Sequence, residues 1–237
     1  MLRRAYFLLI LAGLFLVACG GDELEDLPAE EIVANSAAAM SEIEGFRFAI
    51  DRTGAAAYLD PDQTISFRRA EGYYAAPDSA QATVRVITPG LVTEVNVISI
   101  DETQWQTNIM STEWEQLPPN WGFNPAVLFD ADIGIQSILA TDMTSMQLLE
   151  PEKLDDGPDE TLYVVSGTLD GRRIYSMSYG LIGPEPLQVT LWITPESFEL
   201  VRAVITEVNS GDEEPSVWQV DFNEIGRVVD IKPPGGE

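Results

Sequence analysis

The chain has 237 residues, of which 45% are apolar, with 39 acidic against 13 basic side chains, one cysteine and no histidine. A formal charge of −26 repels phosphate backbones and anionic headgroups, which argues against nucleic-acid partners and against membrane attachment through a basic patch. Without histidine there is no His-based triad and no common zinc or iron site, and a single thiol gives no internal disulfide.

Met1-Leu2-Arg3-Arg4 is a basic start, and Ala5 to Ala18 is almost wholly apolar. That run is shorter than the ~20 residues of a bilayer-spanning helix and has the layout of a secretory signal peptide. It closes on Leu16-Val17-Ala18-Cys19, which resembles the lipobox of bacterial lipoproteins, where the thiol receives a diacylglycerol before the leader is removed. The expected organisation is a signal peptide over 1–18, lipidated Cys19 and an acidic tether over 19–27, one domain over 28–232 and a flexible tail over 233–237. The eight residues Gly20 to Leu27 reach at most about 28 Å when extended. A diacylglyceryl-modified Cys19 holds the chain to the extracytoplasmic face of a cell membrane, since two acyl chains at ~0.8 kcal/mol per buried CH₂ give stable anchoring where one does not.

Pro28 opens a helical stretch with Glu30 and Glu31 in its first turn, where the helix dipole favours acids. Ile32, Ser36, Ala39, Met40 and Ile43 share one face, and Gly45 is the expected stop. From Phe46 the period becomes two: Phe46, Phe48 and Ile50 alternate with Arg47, Ala49 and Asp51. Further strands are expected over 65–75, 82–88 and 92–100, and around Trp105, with turns at Asp60-Pro61-Asp62, Pro77-Asp78, Pro89-Gly90 and Asp101-Glu102. The pattern breaks at 117–123, a loop rich in proline and aromatics. Asn124 caps a short helix begun by Pro125 and carrying Val127, Leu128 and Phe129, and a second helical run is expected from about Asp132 to Met143 with Ile133, Ile135, Ile138 and Leu139. Strands resume over 146–149, 161–168, 173–179, 187–194, 200–208 and 217–222.

This order is α+β: a strongly curved antiparallel half-barrel whose N-terminal helix and central helical insert cover the concave face. Acid pairs such as Asp130/Asp132 and Asp155/Asp156 have the groups a glycosidase needs, but among 39 acids close pairs arise by chance, so solvated surface is the favoured reading. The run 155–160 lacks the ligand spacing of an EF-hand loop. Trp105, Trp114, Trp121 and Phe123 gather around the insert, with two readings open: ordinary core or the lining of an apolar ligand cavity.

In order along the chain come the Cys19 lipobox, the helix end Met40-Ser41-Glu42-Ile43-Glu44-Gly45-Phe46-Arg47-Phe48, Ala70-Glu71-Gly72-Tyr73, Trp114-Glu115-Gln116-Leu117-Pro118 leading to Pro125-Ala126-Val127-Leu128-Phe129, Leu191-Trp192-Ile193-Thr194-Pro195, Leu200-Val201-Arg202 and Val229-Asp230-Ile231-Lys232-Pro233-Pro234. This succession resembles the LppX/LprAFG family of bacterial lipoproteins, with the LolA/LolB-like fold. The resemblance implies a non-catalytic half-barrel that holds acyl chains of a lipid or lipoglycan for transfer or presentation in the cell envelope; no cofactor and a monomer are expected, with an envelope protein as a further partner. The cavity candidates are Phe46, Phe48, Ile50, Trp105, Trp114, Trp121, Phe123, Val127, Leu128, Phe129, Ile135, Ile138 and Leu139. The stretch from Phe123 to Met143, with Gly134, is the expected gate. The rival readings are an envelope protein-interaction or sensor module with a collapsed interior, and an envelope hydrolase using carboxylates.

Overall fold

The computed structural model describes residues 24–118, 124–130, 133–208 and 214–235. Cys19, Trp121, Phe123 and Asp132 lie outside them.

Helix α1 (Ala29–Ser41) starts after Pro28 and buries Ile32, Val33, Ser36 and Met40, one stripe at helical spacing. It ends before Gly45, with the Glu42 amide bonded to the Ala39 and Met40 carbonyls. Gly45 is therefore not the helix stop expected from sequence. It opens the first strand, where a side chain would sit 2.6 Å from the Arg227 carbonyl oxygen.

The N-terminal half of the sheet comprises β1 (Gly45–Thr53), β2 (Ala57–Tyr58), β3 (Ser66–Ala75), β4 (Ser79–Thr88), β5 (Leu91–Ile100), β6 (Thr103–Thr107) and β7 (Trp114–Gln116). Two helices, α2 (Pro125–Phe129) and α3 (Ile135–Asp142), form the insert, and β8 (Met143–Leu148) and β9 (Tyr163–Leu169) follow. Helix α4 (Gly171–Met177) precedes β10 (Leu187–Ile193), β11 (Leu200–Glu207) and β12 (Val217–Asn223). The antiparallel sheet runs β7-β6-β5-β4-β3-β1-β12-β11-β10-β9-β8, with β2 beside β3, and does not close. First and last strands lie together in its middle, Phe48 opposite Phe222 and Ile50 opposite Val220.

Helix α4 corrects the strand expected over 173–179. The Asp170 carboxylate accepts from the Arg172 amide at 3.1 Å and caps the helix. Ile174, Met177 and Leu181 all turn to the interior, a spacing of three and four that fits a helical turn, whereas alternation over so few residues cannot be told from it. Within the stretch expected as an acidic tether, residues 24–27 are docked: Leu24 and Leu27 pack on the core, and the Tyr163 hydroxyl donates to the Glu25 carbonyl at 2.9 Å.

One face of the sheet is charged. Arg47 reaches Glu71 at 2.8 Å, Arg69 pairs with Asp51, and Arg202 binds both Asp221 and Asp156; most of these groups are part-exposed, so each pair contributes on the order of 0–1 kcal/mol. The other face holds the core. Asn124 caps α2 by accepting from the Ala126 amide at 2.9 Å, which drives Phe129 into a ring cluster. Its centroid lies 4.7 Å from Phe48, 5.0 Å from Phe46, 5.8 Å from Tyr74 and 5.9 Å from Phe222. Replacing Phe129 with alanine leaves a void among rings that cannot collapse into it. The expected loss is about 3–5 kcal/mol of unfolding free energy, read from urea denaturation; a loss below about 1 kcal/mol would show that the ring does not hold the insert.

Candidate functional site

The concave face is filled unevenly. Under α2, α3 and α4 only about 60 Å³ of space remains, bounded by Ile50, Phe129, Ile135, Ile138, Ile174 and Trp218 among other residues. Beyond the helices the sheet is bare, and an apolar groove of about 520 Å³ opens along β3, β4 and β5. Ile65, Phe67, Val84, Val86, Val95 and Val97 form its floor, while Tyr58, Leu59, Tyr179 and Leu181 form the opposite wall. Phe67, Ser178 and Leu181 border both spaces and form the wall between them at the corner after α4. The strand periods explain the floor: Val84 faces Val95 across β4 and β5, and Val86 faces Phe67 across β3 and β4, which places β-branched side chains on one surface.

The groove opens at one end of the strands. Exposed apolar side chains gather there: Tyr58, Leu59, Leu91, Val92, Tyr179 and Val208. Residues 24–27 sit at the other end, because Tyr163, which holds Glu25, pairs with Ile193, whereas Leu169 pairs with Leu187 at the groove's end.

Of the residues singled out from sequence, Ile50, Leu128, Phe129, Ile135 and Ile138 line the inner cavity. Phe46, Phe48 and Leu139 are buried core beside it, and Val127 is half-buried on α2. Trp105 and Trp114 are not brought to the cavity. Trp105 stands opposite Ile98 and Trp114 opposite Thr107, in the alternation of the charged face, and Trp114 shares a polar groove there with Arg47, Glu71 and Thr83. Gly134 is close-packed: a side chain would lie 2.7 Å from the Asp130 amide nitrogen and 2.8 Å from the Leu128 carbonyl oxygen. Sequence reasoning missed the valines of β4 and β5, Phe67, Trp218 and all of α4. The valines carried a signal, since they alternate with Thr83, Arg85, Asn96 and Ile98; nothing local said that helices would leave them uncovered.

The acids do not converge on the apolar space. Asp156 pairs with Arg202 at 2.8 Å and Asp159 with Lys153 at 2.6 Å. Among the described residues no group of three or more acids is placed to hold a metal, and no helix is long and apolar enough to cross a membrane.

The sequence pattern of the LppX_LprAFG lipoprotein family matches residues 28–231. Among solved structures, LprF from Mycobacterium bovis is similar at 18% identity, with 88% of this chain and 97% of that chain covered and a TM-score of 0.68. Lipoprotein LppX from Mycobacterium tuberculosis is similar at 16% identity, with 88% and 100% covered and a TM-score of 0.59. No curated protein matches the sequence. At these identities the two structures establish the fold alone: a curved, open antiparallel sheet with helices on its concave side.

Tyr74 gives the helical end of this interior a titrating reporter. Its hydroxyl donates to the Pro77 carbonyl at 2.8 Å. Burial first, then the charges of Asp130 and Asp78, push its pKa from 10.0 up to about 12. The folded state therefore keeps a proton that the unfolded chain has lost. The stability Tyr74 contributes is fully present below pH 10 and drains away as the pH rises from about 10 to about 12. In thermal melts across that range Tyr74→Phe is expected to lose stability less steeply than the parent; parallel curves would refute the assignment.

Proposed function

Because the chain belongs to the LppX_LprAFG lipoprotein family, we propose that it binds the acyl chains of a lipid or lipoglycan in its concave groove, without catalysis, for transfer or presentation in the cell envelope. The observation that carries this reading is the apolar groove of about 520 Å³, of the size of small-molecule sites and separated from the inner cavity by Phe67, Ser178 and Leu181. At ~0.8 kcal/mol per methylene, about ten buried CH₂ groups give about 8 kcal/mol, roughly micromolar binding before the cost of ordering the chain. Release then needs an acceptor, and the exposed Tyr58, Leu59, Leu91 and Val92 around the opening supply the apolar contact through which a chain passes.

In this reading Cys19 carries the lipid anchor. Glu25 is tied to Tyr163, so the leash between the anchor and the docked residues is at most about 14 Å at full extension. The groove opens at the far end of strands about 23–33 Å long. Such a leash holds the opening away from the anchoring membrane and towards whatever accepts the cargo. The tight inner cavity favours one rival, an interaction module whose interior stays closed.

Native mass spectrometry with lipid extraction separates the two. The expected result is co-purified lipid at a defined stoichiometry, lost in Val86→Trp or Val97→Trp, whose indoles fill the groove while far-UV circular dichroism stays unchanged. A clean apo mass that persists after incubation with liposomes would overturn the carrier reading in favour of the module.

A further inference from the structure

Leu181 borders a third space besides the groove and the inner cavity, and its chemistry is different. This pocket of about 180 Å³ lies between the methyl side chains of Ala55, Ala56 and Ala57, the backbone at Gly183, and the side chains of Glu185, Glu207 and Ser216. Ser216 is only 7% exposed, yet its Oγ has no hydrogen-bond partner, a state that native folds avoid unless something completes it. The Glu207 carboxylate accepts from Trp218 Nε1 at 2.9 Å through one oxygen and from the Gly183 amide at 2.8 Å through the other. Each oxygen keeps a free lone pair.

The small residues around the pocket are held in place by its construction. A side chain on Gly54, at φ 75°, would run into the Pro215 carbonyl, and one on Gly183 would sit 3.0 Å from the Glu207 carboxylate. Outside the pocket's lining, Arg52 is 5% exposed, with Arg68 and Glu207 as charged neighbours. Its Nε donates to the Phe67 carbonyl at 2.9 Å, and its Nη1 donates to the carbonyls of Gly54 and Ala55. The guanidinium is thus committed to the backbone, while its charge and that of Glu207 oppose one another across the same corner. A phosphate entering here meets the carboxylates of Glu185 and Glu207. A hydroxyl meets no like charge, can donate to Glu207 and can bond to Ser216.

We propose that this pocket takes the free hydroxyl of a neutral glycerolipid, a diacylglycerol-type head, whose acyl chains lie in the adjoining groove. The inference rests on the carrier reading above and adds what the head of the cargo must be.

Full-length lipoprotein in detergent, offered equimolar dioleoylglycerol and its O-methyl ether, tests it by native mass spectrometry. The two ligands share their acyl chains and differ in one donor proton. The parent is expected to prefer the alcohol by about tenfold, the effect of one hydrogen bond to a charged acceptor. Glu207→Gln, which removes the charged acceptor, is expected to shrink that preference below about threefold, with far-UV circular dichroism reporting an intact fold. Glu207→Gln is expected to let phosphatidate compete where the parent rejects it. Equal binding of alcohol and ether by the parent would overturn the head pocket and leave the carrier reading standing. A preference that survives Glu207→Gln undiminished would also overturn it, and binding of neither ligand would overturn both.

Discussion

The ring of Phe129 is the contact on which the arrangement depends. A sheet of this length has its first and last strands, β1 and β12, side by side at its centre, and each brings aromatic rings to the concave face. Phe46 and Phe222 lie 5.3 Å apart, and Phe129 closes on both from the insert. Such ring pairs contribute about 0.5–1.5 kcal/mol each beyond their buried area. The insert is therefore fastened at the seam where the two halves of the chain meet. Fastened there, it covers one end of the concave face and leaves the other bare.

Side-chain size follows the same division. Where α2 approaches, the sheet offers Ala70, Ala80 and Ala82, and Gly72 lies so close to the Gln81 carbonyl that no side chain fits. Small residues there let a helix come near. Towards the other end the same strands carry Phe67, Val84, Val86 and Val95, large enough to make an apolar floor and too far from any helix to be capped by one. The groove is thus a consequence of where the helices are fixed.

Much of this was legible in the sequence. The alternation of Phe46, Phe48 and Ile50 gave the inner face of β1, Asn124-Pro125 gave the start of α2, and both rest on local rules of strand period and helix capping. The acidic pairs were read as solvated surface because close pairs arise by chance among so many acids; of them, Asp156 pairs with Arg202. What failed was anything needing the partner strand. Trp105 and Trp114 are apolar and near the insert in sequence, but register sends them to the charged face, because a shift of one residue moves a side chain across the sheet. The segment after Asp170 reads as strand or helix by period alone, and its cap and its packing on the core settle the matter. Leu24 and Leu27 were hidden by the acids between them, Glu25 and Asp26; a short segment with two leucines docks or floats according to what lies opposite, and Tyr163 lies opposite.

Charge is placed with equal economy. Almost every ionised side chain near the sheet lies on the convex side, where water screens it. Arg52 and Glu207 are the departures, and they sit together at the open end of the concave face, beside Trp218 and Ser216. Two charges held there lose hydration, and the backbone carbonyls and amides around them return only part of it. A fold that needed nothing but a dry core would gain by replacing them with apolar groups of the same shape. They stand beside the polar pocket that Leu181 shares with the apolar groove, and under the proposal above that cost makes one end of the groove selective for the group attached to the acyl chain.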